Sequence, residues 1–317
     1  MGDRAPLASD PSTTADSRRT TGRASSADPS LVTLLDVGVL KGAHAINARH
    51  NRADLLRPNH AMRPSISVTR APSKTVLTLR LVFNTSACKF DPRTLVCGGK
   101  NGGAGCLTAA QAAALERAFA GPRMKDGRQL YSPFPFDTGI ADGAQAFIPG
   151  LLYGGFNGSS ASTTDPDAAA RWAESDAPSA VTDTYSWTNM TTFANRGGKM
   201  IFFHGVSDPT FSALDTVDYY SRLAAANGGA DAVQRWSRLF LVPGMGHCGG
   251  GSLATSSFDM LTALVNWVER DIPPDAVVAS TNSEPRLARP LCPYPQYAHY
   301  SGRGDPNDAS SFACRAP

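Results

Sequence analysis

Two stretches of this 317-residue chain share one plan and end in residues that could work together. Lys199-Met200-Ile201-Phe202-Phe203-His204-Gly205-Val206-Ser207-Asp208-Pro209 runs from apolar residues through a turn to an acid. Leu239-Phe240-Leu241-Val242-Pro243-Gly244-Met245-Gly246-His247-Cys248-Gly249-Gly250-Gly251 does the same and delivers an imidazole on a glycine-rich loop. A carboxylate that accepts the proton-bearing ring nitrogen orients an imidazole and stabilises its charged form. The other ring nitrogen can then take a proton from a hydroxyl nucleophile and return it to a leaving alcohol. Asp208 and His247 are therefore the candidate acid and base of an acyl-transfer site.

Such a site also needs a nucleophile and backbone N–H donors for the oxyanion. The sequence contains no Cys-Ser pair and no Gly-x-Ser-x-Gly string. Ser207 follows Gly205 at the right offset, but Pro209 replaces the second glycine of a nucleophile elbow. Gly158-Ser159-Ser160 lies in a Ser/Thr/Gly-rich stretch without a preceding strand. The nucleophile is thus unknown. Neighbouring side chains on an extended loop diverge, so His247 is badly placed to activate Cys248. His204 reads as a turn-packing residue.

The elements that must position the pair are a strand at the 199–204 run, a helix from Leu214 to Ala226, and a strand at the 239–242 run. Strand, helix, strand in this order implies parallel strands joined by a crossover, with Asp208 and His247 at one edge of the sheet. A helix from about Ser257 to Arg270 would follow, with Phe258, Leu261, Leu264, Val265 and Val268 at helical spacing and assigned to the core. Upstream, Val76 to Phe83 alternates like a half-buried strand. Thr108 and Gln111 form a capping box for a helix that Gly121-Pro122 stops. Residues 122–198 are rich in loops, with Trp172, Tyr185, Trp187 and Phe193 spread through them.

A hydrophobic content of 42% and a charged content of 18% fit a globular chain, and a net charge of +3 is too small to mark a nucleic-acid binder. Residues 1–30 carry few large apolar side chains, so a disordered leader is expected. Residues 41–75 are basic: Lys41, Arg49, Arg52, Arg57, Arg63, Arg70 and Lys74 oppose only Asp54. Without interleaved aromatics they read as a solvated leader, not a nucleic-acid arm. Leu31 to Leu40 falls far short of the roughly 20 apolar residues that span a bilayer, so no membrane partner is expected. Met1 to Pro6 lacks the layout of a signal peptide. Six cysteines allow 15 complete pairings.

From Ser86 to Pro317 the chain resembles the tannase and feruloyl esterase family of α/β-hydrolases. The resemblance rests on Ala87-Cys88-Lys89-Phe90-Asp91-Pro92, Cys106-Leu107-Thr108-Ala109-Ala110-Gln111, Phe203 to Pro209, Asp218-Tyr219-Tyr220, Val242 to Gly251, and Arg289 to Pro295. It implies an α/β fold class, here an incomplete α/β-hydrolase core with a loop-rich lid insertion. The expected divisions are an unrelated leader at 1–75, a lid-like region at 76–196 and the C-terminal part of the core at 197–317. The implied function is a Ser-His-Asp carboxylic ester hydrolase acting on a small aromatic ester of feruloyl or galloyl type. The family's Gly-Cys-Ser-x-Gly-Gly string is missing, and the oligomeric state stays open.

The resemblance also implies disulfides Cys97–Cys106 and Cys292–Cys314. It leaves Cys88 and Cys248 single, with pairing to each other or six reduced thiols as the alternatives. No cofactor is needed for the chemistry. The calcium usual in the family is held by an Asp-rich loop, whereas Thr69 to Thr85 contains no acidic residue. Export to the periplasm or beyond is implied. The rival readings are an inactive fragment or pseudoenzyme, and a phenolic- or carbohydrate-binding module using the lid aromatics.

Overall fold

The computed structural model describes residues 81–98, 106–137, 165–178, 187–247, 249–251, 254–282, 284 and 286–317. Helix α1 (Ala109–Phe119) starts at the capping box: Thr108 Oγ1 accepts from the Gln111 amide at 3.2 Å, and Gln111 Oε1 accepts from the Thr108 amide at 2.8 Å. Its buried face of Ala112, Leu115 and Phe119 packs on Leu95, Leu107 and Phe134. The Cys97–Cys106 disulfide closes this unit. Helices α2 (Pro166–Ser175) and α3 (Thr191–Asn195) follow. The strand expected over 76–83 enters the described residues only at its end, where Leu81 to Phe83 form no strand but bury Leu81 and Val82.

Strands β1 (Met200–Gly205) and β2 (Ser237–Val242) pair in parallel, from Met200 opposite Ser237 to Gly205 opposite Val242. Between them lie α4 (Ala213–Ala226), whose Ser212 side chain caps the Leu214 amide, and α5 (Ala230–Gln234). Tyr220 and Leu223 of α4 pack with Val233, Trp236 and Leu239. The other side of β2 packs Phe240 and Val242 against Met245, Met260, Val277 and Leu291. β2 is thus covered on both faces, as its near-continuous apolar run requires.

Strand β3 (Ser257–Phe258), helix α6 (Met260–Arg270), and strands β4 (Val277–Ser280) and β5 (Ala288–Leu291) come next, with β3, β4 and β5 in one antiparallel sheet. Strands β6 (Tyr297–Tyr300) and β7 (Phe312–Arg315) form a second antiparallel pair. The Cys292–Cys314 disulfide ties β7 to the end of β5. Among the described residues no helix is long and apolar enough to cross a membrane.

Two expectations for this region are corrected. Ser257 and Phe258 belong to a strand, because the Asp259 side chain accepts from the Thr262 amide and starts the helix at Met260. Of the stripe assigned to the core, Phe258 does pack against it and Leu264 is half-buried, but Leu261, Val265 and Val268 face outward. Met260 and Trp267 are buried, while Leu261 is 72% exposed and Val268 59%, with Val265 and Phe203 of β1 exposed as well. The helix carries two apolar stripes, and spacing alone cannot say which one meets the sheet. The stripe with Met260 and Trp267 does so.

Trp267 is 2% exposed, with the Lys199 ammonium 5.2 Å and the Arg238 guanidinium 4.9 Å from its ring centre. Trp267→Ala is expected to destabilise the chain by about 3–5 kcal/mol, through a large cavity and the loss of two cation–π contacts. A chemical denaturation midpoint close to wild type would contradict this.

Candidate active site

The carboxyl ends of the two parallel strands bring the predicted acid and base together. Val206 donates its amide to Val242 at 3.0 Å and Ser207 to Met245 at 3.0 Å, so the loops leaving β1 and β2 run side by side. The second of these begins with a turn. Met245 donates to the Val242 carbonyl at 3.3 Å across Pro243 and Gly244, and Gly244 has φ +75°. Proline followed by a glycine of positive φ is the type II arrangement.

His247 donates Nδ1–H to Asp208 Oδ2 at 2.9 Å. The acid side chain is 5% exposed and the base side chain 45%, so the imidazole opens outward from a fixed carboxylate. Asp208 Oδ1 accepts from the Thr210 amide at 2.8 Å and the Phe211 amide at 2.9 Å. Burial pushes the Asp208 carboxyl up, but His204, the Phe211 amide, His247 and the Thr210 amide together hold it below the usual carboxylate value. With the proton on Nδ1, the Nε2 lone pair of His247 is the basic atom.

Sequence reasoning missed several contributors. His204, read as a packing residue, sits beside the acid, with Nε2 3.4 Å from Asp208 Oδ2 and 3.1 Å from the Phe211 carbonyl. A carbonyl only accepts, so His204 Nε2 carries a proton, and Nδ1 faces the Thr216 hydroxyl at 2.7 Å. The four-residue spacing from His204 to Asp208 across a tight turn was the available clue. The Phe211 ring lies 5.4 Å from the His247 ring, and nothing local in the sequence marks it.

The Ser207 hydroxyl proton goes to a carboxylate and not to His247. Ser207 is buried, and its hydroxyl donates to Asp137 at 2.8 Å. Gly158 to Ser160, Cys248, Tyr185 and the leader at 1–75 lie outside the described residues. Cys88 is half-buried and lines a cavity with Lys89, Phe90, Phe134 and Leu214. Of the lid aromatics, Phe193 packs edge-on against Trp236 with ring centres 5.9 Å apart, and Trp187 is exposed. The backbone of Trp172 lies on α2. Calcium would need a cluster of oxygen ligands. Among the described residues no group of three or more His, Cys, Asp or Glu is placed to hold a metal.

Comparison with known proteins places this geometry in a family. A family model for tannase and feruloyl esterase matches residues 152–315. The chain is 38% identical over 302 residues to the mono(2-hydroxyethyl) terephthalate hydrolase of Piscinibacter sakaiensis, covering 75% of this chain and 48% of the relative. It is 28% identical to feruloyl esterase B of Aspergillus niger, covering 69% of this chain and 47% of that one. The chain therefore spans about half the length of these relatives.

Two solved structures share the fold. Feruloyl esterase B from Aspergillus oryzae superposes with a TM-score of 0.61 at 20% identity, over 89% of this chain and 57% of that chain. The tannin acyl hydrolase from Aspergillus niger does so at 0.59 and 17%, over 90% and 55%. With parallel strands, a crossover helix and an acid–imidazole pair at the strand ends, this chain belongs to the tannase and feruloyl esterase family.

Proposed function

We propose that this chain carries the acid and base of a carboxylic ester hydrolase for small phenolic-acid esters. The observation that carries the reading is the 2.9 Å contact from His247 to a buried Asp208 at the ends of two parallel strands. Asp208 holds the imidazole, and His247 takes a serine proton and passes it to the leaving alcohol. Relatives named for feruloyl and mono(2-hydroxyethyl) terephthalate esters support an aromatic acyl group. The same reading takes 76–196 as a lid-like region and 197–317 as the C-terminal part of an α/β-hydrolase core. The chemistry requires no cofactor. The two disulfides support an exported protein.

A second reading follows from Ser207, which is tied to Asp137, and from the missing nucleophile string. In it, the chain alone is inert and supplies only the acid–base half of the site. Hydrolysis of methyl ferulate, methyl gallate and a short nitrophenyl ester by the purified chain, beside His247→Ala, decides between them. Turnover that falls by about three to four orders of magnitude in the variant supports the hydrolase. A folded chain with no turnover establishes the second reading.

A further inference from the structure

We infer that Asp137 is a positioning residue whose buried carboxylate clamps the loop carrying the acid to the loop carrying the base. The inference rests on the reading of Asp208 and His247 as the working pair. One oxygen of Asp137, Oδ2, accepts from two donors: the Ser207 hydroxyl at 2.8 Å and the Gly244 amide at 2.7 Å. Ser207 immediately precedes the acid, and Gly244 stands three residues before the base. Asp137 is 5% exposed and Ser207 3%, so water does not substitute for the carboxylate.

The turn at Pro243-Gly244 explains why a side chain is needed. A type II turn satisfies its first carbonyl through the Met245 amide and leaves the Gly244 N–H pointing away from the turn. A buried N–H without an acceptor is costly. Asp137 supplies that acceptor, and by sharing the same oxygen with Ser207 it adds a side-chain tie to the backbone bond from Ser207 to Met245 that already joins the two loops.

Asp137 is itself held by a strap. Pro133 and Pro135 restrict the backbone of segment 131–137, and three further contacts fasten it over the start of α4. The Ser212 amide donates to Tyr131 Oη at 3.0 Å, the Ser212 hydroxyl donates to the Pro133 carbonyl at 2.5 Å, and the Ser132 hydroxyl donates to Asp215 Oδ1 at 2.8 Å. The strap thus grips the acid loop on both sides of Asp208, at Ser207 and at Ser212, and Asp137 links it to the base loop at Gly244.

The test reads the His247 Nδ1 proton by NMR in the full 317-residue chain, assigned by its loss in His247→Gln. Solvent exchange of this proton measures how often the contact with Asp208 opens. Asp137→Ala strands two buried donors, and exchange is expected to quicken by about tenfold or more. Asp137→Asn keeps an acceptor oxygen and should hold the rate within about threefold of wild type. Ser207→Ala, the variant to rely on if Asp137→Ala does not fold, removes one of the two donors and should give an intermediate rise. Wild-type exchange in folded Asp137→Ala, or in Ser207→Ala where the first is unfolded, overturns the inference. The proton is read without substrate, so a lack of ester turnover would count against the proposed activity and leave this result standing.

Discussion

Asp208→Asn should abolish turnover while leaving the chain folded, and Asp208→Ala should also weaken the fold. Asparagine can still offer an oxygen to the Thr210 and Phe211 amides, which the native Oδ1 accepts at 2.8 and 2.9 Å. Its NH₂ would then face His247 Nδ1, donor against donor. The imidazole escapes that clash by moving its proton to Nε2, the atom that must be basic, and the expected loss in kcat is about 10⁴-fold. Alanine removes both oxygens from a buried site and strands those amides, which should cost about 1–3 kcal/mol.

The pH dependence separates charge from packing. Despite the upward push of burial, the Asp208 carboxyl in the folded chain lies below its ordinary value because its hydrogen-bond donors favour the charged form. A depressed folded value means that the stabilisation is fully present above the unfolded carboxylate value of about 3.9 and is lost as pH falls through the folded one. The stability gap between wild type and Asp208→Ala should therefore be widest near neutrality and narrow below pH ~4. Urea midpoints across that range measure it. A gap that does not change with pH would mean that the carboxylate contributes by packing alone.

The second large effect is expected at Gly205, the last residue of β1. A Cβ there would lie 2.6 Å from the Gly246 carbonyl and closer still to that of Met245. Both obstacles are backbone, so no rotamer change relieves them. Gly205→Ala must push the base loop away from β1, and about 3 kcal/mol of stability should be lost. The hydrogen bond from Ser207 to Met245 and the His247 contact lie directly in the path of that shift. Loss of the His247 Nδ1 resonance together with a lowered denaturation midpoint would show it. A normal midpoint would mean that the two loops separate without cost.

The parts of this site carried by local pattern were legible before the fold was known. Apolar runs before Asp208 and His247 fixed both strands, and the helix between them required a parallel pairing. The Thr108 and Gln111 side chains marked the start of α1 because a capping box is complete within four residues. What could not be read depends on contacts far along the chain. Asp137 is one acid in a proline-rich run, and its partners stand 70 and 107 residues away. Helix α6 offers two apolar faces, and the neighbours that chose Trp267 over Leu261 belong to other segments. The histidine at 204 stood in plain view, but its role depends on the turn that folds Asp208 back beneath it.

The distance from Asp137 to Gly244 also bears on when the site comes into being. The clamp closes a 107-residue interval, whereas acid and base are only 39 apart. Closing the longer interval from an open chain costs about 1 kcal/mol more in chain entropy. During synthesis the carboxylate of Asp137 emerges well before the turn it will hold and must wait for it. The pair at Asp208 and His247 can meet early, but it is braced only once the whole stretch has folded around it. A chain stalled partway would then carry the right residues with the geometry unsecured, so catalytic quality would report on the completeness of folding and not merely on the presence of the pair.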